Sequence, residues 1–175
     1  MNAEQFIISL FKEQTARQDV ARNEVLTKIG STENRLYYVH EGLVCAFYIN
    51  DGEEQVIRFG YQGSIMNALP SFFGGRPSEL EIRAVRSSLV SSISRTEFLE
   101  LSRTAELSEA YIDLLELFTI QQMEREFDLL TASPAERLER VRARSPQLFQ
   151  EVPLKYIASY LRMTPETLSR IMSKS

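Results

Sequence analysis

Between Glu24 and Arg95 the apolar residues of this chain recur at every second position, and from Arg95 onward at a spacing of 3.6. A chain with that change of period builds sheet first and helices afterwards. The alternating segments are Glu24–Ile29, Arg35–Val39, Leu43–Ile49, Gln55–Phe59, Leu80–Val85 and Leu89–Ile93, with the hairpin signature Asn50-Asp51-Gly52 between two of them. Short strands with frequent turns predict an antiparallel roll or barrel. Ahead of them, residues 3 to 19 read as a helix with Phe6, Ile7, Leu10 and Phe11 on one side. Behind them come helices at Thr96–Ser102, Glu106–Leu130 and Ala135–Arg144, the last after a Ser133-Pro134 break. The expected class is α+β: an antiparallel β-roll over residues 1–104, a long helix over 105–131 and a small all-α domain over 132–175.

The final segment, from Val152, carries the most specific pattern. It reads as two short amphipathic helices joined by a three-residue turn, the layout of a helix-turn-helix that reads DNA. Ile157, Leu161, Leu168 and Ile171 would form the small core between the helices, Ala158 would lie where they cross, and Met163 would pack in the turn. Thr164 is a suitable N-cap and Pro165 a suitable first helical residue. Arg162 stands in the turn where glycine is usual, at a cost of roughly 1 kcal/mol for a left-handed conformation.

Glu166, Thr167, Ser169, Arg170 and Lys174 are then directed outward from the second helix. Arg170 can donate two parallel hydrogen bonds to guanine, and Glu166 can accept from a cytosine amino group. Thr167, Ser169 and Lys174 suit phosphate oxygens, as does the helix start at Thr164 and Pro165. From Val152 onward the net charge is +3, against −7 for the preceding residues. A basic tip on an acidic body suits a protein that meets nucleic acid at one place.

Composition excludes several chemistries. His40 is the only histidine, so a site built from several histidines cannot form within one chain. It is expected at the surface or in a turn before Glu41-Gly42. Cys45, the only cysteine, lies in an apolar run and reads as a buried structural thiol. No phosphate-cradling glycine loop, haem motif or iron–sulfur array is present. We read a non-enzyme without a metal or identified cofactor. No apolar stretch approaches the length of a membrane span and the first residues lack the pattern of a secretory signal, so the expected location is cytoplasmic.

The long helix bears Leu107, Tyr111, Leu114, Leu115, Phe118, Met123 and Phe127, more apolar surface than a small roll needs. These residues are expected to form a homodimer seam, the alternative being a monomer's core helix packed on the roll. Two copies also suit a reader with few base-contacting residues, since two half-sites multiply discrimination.

The order helix, β-roll, long helix, helix-turn-helix resembles the CRP/FNR family of bacterial transcription regulators. The most specific stretches are Val39-His40-Glu41-Gly42-Leu43-Val44 and Pro153 to Met172. Pro-Leu-Lys-Tyr-Ile-Ala-Ser-Tyr-Leu, within the second, resembles a short-chained subgroup. The resemblance implies a cyclic-nucleotide-binding-like roll, or double-stranded β-helix, ahead of a dimerisation helix and a DNA-binding domain. It implies base contacts at Glu166 and Arg170 and a phosphate contact at Thr167. Pro165 replaces a base-contacting arginine of some members, so the target sequence should differ from theirs. The β-hairpin that follows the recognition helix in longer members has no counterpart in these residues.

The resemblance also locates an effector pocket around Gly63, Ser64, Arg76, Ser78, Glu79 and Arg83. Nucleotide-binding members carry Gly-Glu where this chain has Gly63-Ser64, and Arg-Ser or Arg-Thr where it has Ser78-Glu79. A phosphate without its arginine loses a charge-assisted bidentate contact, and Glu79 adds repulsion, so tight cAMP binding is not expected. A different small effector, or a purely structural roll, stays open. The expected protein is a homodimeric regulator with double-stranded DNA as partner and RNA polymerase as a candidate second one. The alternative is a β-roll sensor or interaction module whose terminal hairpin packs on its own body and never meets DNA.

Overall fold

A computed structural model describes residues 11, 15–32, 34–101, 103 and 105–174; of Leu101 and residues 105–107 it describes the backbone only. Among these residues six strands, β1 (Arg17–Val20), β2 (Val25–Thr27), β3 (Arg35–Asn50), β4 (Glu53–Gly60), β5 (Ile65–Met66) and β6 (Leu80–Ser94), form one antiparallel sheet. The main path is β1-β6-β3-β4, with β2 on β6 and β5 on β3. Helix α1 (Leu69–Gly74) interrupts the strands. Then follow α2 (Arg95–Leu101), α3 (Ala105–Leu130), α4 (Pro134–Arg144), α5 (Leu148–Glu151), α6 (Leu154–Tyr160) and α7 (Pro165–Met172).

Three readings of the sequence change. Most of the expected N-terminal helix lies outside the described residues, but Arg17–Val20 is a strand paired with Ser88–Ser91, so no helix runs to residue 19. The pairs expected at 35–39 and 43–49, and at 80–85 and 89–93, are each one continuous strand. They stay continuous because β3 and β6 pair along their whole length, from Arg35↔Ser94 to Tyr48↔Leu80, with register slips between Val39 and Val44. Such bulges bend a strand without ending it. His40 is therefore not in a surface turn. It is buried, with Nε2 2.9 Å from Ser91 Oγ and its ring edge-on to Tyr38.

The bend depends on Gly42. Its φ is +95°, and a Cβ there would lie 2.3 Å from Ser88 Oγ and 2.6 Å from Ser87 O. Ser88 Oγ instead accepts from the Leu43 N–H at 3.1 Å. The β3–β4 hairpin closes through Asp51 and Gly52, both with positive φ, as a two-residue turn requires.

Both faces of the central strand are covered. Val44 and Ala46 pack into the roll interior with Val20, Met66, Ile82 and Val90. Leu43, Cys45 and Phe47 face the other way, into a cluster with Leu138, Val141, Leu148, Ile157, Leu161 and Leu168 of the C-terminal helices. Burial pushes the Cys45 thiol up to about 12, so it packs as an unreactive apolar group at neutral pH. A third cluster joins Leu36, Tyr38 and Ile93 to Phe72, Phe98, Ala110, Leu114 and Phe118. Among the described residues no helix is long and apolar enough to cross a membrane.

Gly42→Ala should cost about 3 kcal/mol in urea unfolding, from the left-handed backbone and the overpacked approach to Ser88 together. Gly52→Ala, with φ +80° and open space around it, should cost only about 1 kcal/mol.

Candidate nucleic-acid interface and ligand cleft

The terminal hairpin forms as its residue types dictate. Thr164 Oγ1 accepts from the Thr167 N–H at 3.2 Å, and Pro165 occupies the first turn of α7. Ile157, Ala158, Leu161 and Leu168 are fully buried, while Ile171 and Met163 pack at the margin of the same cluster. Arg162 takes the expected left-handed conformation at φ +56°. Arg137 stabilises that turn: its guanidinium donates to Leu161 O in the turn and to Thr131 O, 3.0 Å away, just beyond α3.

With its inner face committed to the core, α7 leaves Thr164, Pro165, Glu166, Ser169 and Arg170 exposed, with Thr167 half-buried and Lys174 exposed just past the helix end. Hydrogen bonds from its own N–H and from the Thr164 hydroxyl hold the Glu166 carboxyl below the usual range. It is thus ionised at neutral pH and able to accept a hydrogen bond. Arg170 forms no ion pair among the described residues.

The opposite side of the hairpin is docked on the roll. β4 is the outer strand of the main sheet path, and its free backbone groups need partners. Ser159 of α6 supplies them: its hydroxyl accepts from Val56 N–H at 3.0 Å and donates to Glu54 O at 3.2 Å. Arg162 reaches Gln55 Oε1 at 3.0 Å, and Tyr160 packs on Phe59 with ring centroids 5.1 Å apart. Sequence reasoning left Ser159 unassigned, because a serine on a helix says nothing of the strand beside it.

The other end of the helical layer is tied by charge. Asp128 of α3 is fully buried and accepts from Arg140 Nε at 3.2 Å and from Arg144 of α4. Glu124 receives the same two arginines, at 3.4 and 3.2 Å.

The long helix has two apolar faces, and the expected seam merged them. Leu114 and Phe118 are buried against the roll, and Tyr111 packs on Phe73 and Phe98, so these three are not free to meet a partner. Leu115 is half-buried, Met123 and Phe127 are exposed, and the Leu107 side chain lies outside the described residues. The solvent face adds Ile112, Ile120 and Leu130. A 3.6 period detects apolar helix positions but not which of two neighbours each one faces.

A cleft of about 1000 Å³ opens between β4, the 61–67 segment, α3 and the C-terminal helices. Gly63 and Ser64 line it, but Arg76, Ser78, Glu79 and Arg83 do not. Arg76 and Glu79 are exposed; Ser78 is buried and donates to Leu80 O at 2.8 Å. Arg83 is occupied by Glu54 at 2.8 Å, by Glu81 at 3.1 Å and by the Phe47 ring. Three cations line the cleft, Arg58, Arg125 and Arg144, and none of them belongs to a recognisable motif in the sequence. Among the described residues no His, Cys, Asp and Glu cluster is placed to hold a metal ion.

Residues 17–105 match the model of the cyclic nucleotide-binding domain. Among solved structures, FixK2 from Bradyrhizobium japonicum superposes with a TM-score of 0.77 at 16% identity, over 91% of this chain and 83% of that one. The c-di-GMP responsive global regulator CLP of Xanthomonas campestris gives 0.65 at 17% identity, over 97% of this chain and 90% of that one. The catabolite activator protein of Thermus thermophilus gives 0.62 at 19%, over 99% and 83%. No curated protein matches the sequence.

Asp128→Asn should cost about 3 kcal/mol in urea unfolding, the low end for breaking a buried pair because the two arginines are about a third exposed. Glu124→Gln, at the exposed edge of the same network, should cost at most about 1 kcal/mol.

Proposed function

The chain belongs to the cyclic nucleotide-binding domain family, and we propose that it is a homodimeric, sequence-specific DNA-binding transcription regulator of the CRP/FNR type. The family and the regulators that share its fold support a regulatory, non-enzymatic role. The observation that carries DNA binding is the two-sided construction of α7. Leu168 is fully buried, while Glu166, Ser169 and Arg170 stand in solvent on the basic tip of an acidic chain. Arg170 and Glu166 read base edges in the major groove; Thr164, Pro165, Thr167, Ser169 and Lys174 set the helix on the backbone.

The dimer forms along the solvent face of α3. Ile120, Met123, Phe127 and Leu130 follow one another at spacings of three, four and three, the seam of a two-stranded coiled coil. Pairing there places two α7 helices on successive half-sites. The cleft beside α3 holds a small effector other than cAMP. Gly63-Ser64 provides no carboxylate for a ribose hydroxyl, and Ser78 and Glu79, which replace the phosphate-binding pair of nucleotide-binding members, lie outside the cleft lining. The protein acts in the cytoplasm, where its DNA target is.

One observation favours the rival reading, an interaction module that never meets DNA: α6 is docked on β4 through Ser159. That contact uses α6 and the turn and leaves the outer face of α7 open, so it is compatible with a reader.

Selection of bound duplexes from a random pool, with wild type and Arg170→Ala in parallel, tests the reading. Wild type should enrich an inverted repeat. Arg170→Ala should lose roughly 10–100-fold on the best site and keep its non-specific affinity. Wild-type protein that enriches nothing at low salt, with or without cell extract, would sink DNA reading. Met123→Glu combined with Phe127→Glu should sediment as a folded monomer and bind half-sites without cooperativity; a persistent dimer would place the interface elsewhere.

A further inference from the structure

The cleft holds two arginines without an ion-pair partner among the described residues; the nearest carboxylate to act on Arg125, Asp128, is itself committed to Arg140 and Arg144. Arg58, on β4, lies 4.8 Å from the Phe118 ring centroid and donates to the Gln121 side-chain oxygen. Arg125, on α3, is 7% exposed and stacks 3.8 Å from the Tyr160 ring centroid. Neither forms an ion pair among the described residues. Arg125 Nη1 is buried with no hydrogen-bond acceptor. So is the Nδ2 of Asn67, a residue that is 6% exposed on the same cleft wall.

Burial pulls the proton affinity of both guanidiniums below the ordinary arginine value. That is the mark of cations held in poorly solvated places. Gln121, the partner of Arg58, lies one helical turn before Arg125 on the same face of α3, so the two guanidiniums share one side of the cleft. The other charged groups of the lining are Arg144, committed to Asp128 and Glu124, and the exposed carboxylate Asp113.

Guanidinium nitrogens and an amide NH2 only donate. A buried donor left unmatched is costly, and a buried unpaired cation more so. The complementary partner is rich in acceptors and negatively charged. Ile57, Leu69, Leu80, Leu117 and Phe118 line the rest of the cleft and suit an apolar body.

We propose that the cleft binds a small organic anion, with its carboxylate or phosphate oxygens on Arg125 and Arg58, a further acceptor on Asn67, and its apolar part against Leu117 and Phe118. The positive charge comes from the long helix and β4, not from the loop that precedes β6. The site deepens the effector reading given above, although anion binding itself does not depend on DNA reading. Tyr160 is the last residue of α6, so an anion that draws Arg125 off its ring acts directly on the hairpin that carries α7.

Calorimetry on the full chain in chloride buffer would use phenyl phosphate and benzoate, with benzyl alcohol as the uncharged counterpart. At least one anion should bind saturably and benzyl alcohol should not. Arg125→Met should weaken that anion about tenfold or more, with a melting temperature at or above wild type, since it removes an unmatched buried charge. Arg58→Met provides a second variant should the first not fold. Binding of neither anion, equal binding of benzyl alcohol, or undiminished binding by both folded variants would overturn the inference. Anion binding by a chain that enriches no DNA sequence would leave the inference standing and remove the regulator reading. DNA reading without anion binding would do the reverse.

Discussion

Everything in this molecule leans on the double burial of β3. Five consecutive residues, Leu43 to Phe47, are buried, although a strand with one wet face would alternate. Their side chains point in turn to the roll interior and to the C-terminal helices. The hairpin is therefore seated on the reverse side of the sheet that encloses the roll. Burying five such side chains contributes on the order of 10 kcal/mol before entropy is counted. That shared strand couples the packing of the roll interior to the seat of the helix proposed to read DNA.

The long helix performs a second double duty. One face completes the roll through Leu114 and Phe118, and another presents Ile120, Met123, Phe127 and Leu130 to solvent. Between them run its polar attachments: Gln121 to Arg58, Arg125 to Tyr160, Asp128 to Arg140 and Arg144. A rotation of α3 would thus be felt at the roll edge, at α6 and at α4 together. Interfaces of this kind have discrete packings, which is why small shifts at one site become large ones at another.

Much of this was legible residue by residue. Thr164, Pro165 and Arg162 specify the hairpin locally, through a cap, a fixed φ and a left-handed turn, and all three do so in the structure. Asn50-Asp51-Gly52 likewise encodes its own turn. The sequence misleads at His40, because Glu41-Gly42 looks like a turn signal, whereas Gly42 serves a bulge packed on Ser88. Of the expected effector residues Gly63 and Ser64 reach the cleft, whereas the segment before β6 satisfies itself: Ser78 pairs its backbone with Gly30 and Ser31.

The sequence by itself determined the elements, their order and the chemistry of the exposed face of α7, because periodicity, caps and turn residues act over a few neighbours. Only the tertiary structure decided which apolar face of α3 is spent on the roll and that Ser159 completes β4. It alone decided that Arg58 and Arg125 meet across one cleft, sixty-seven positions apart. Each of those facts is a pairing between segments distant in the chain. Local propensity is blind to such pairings, because the free energy resides in the partner and not in the residue.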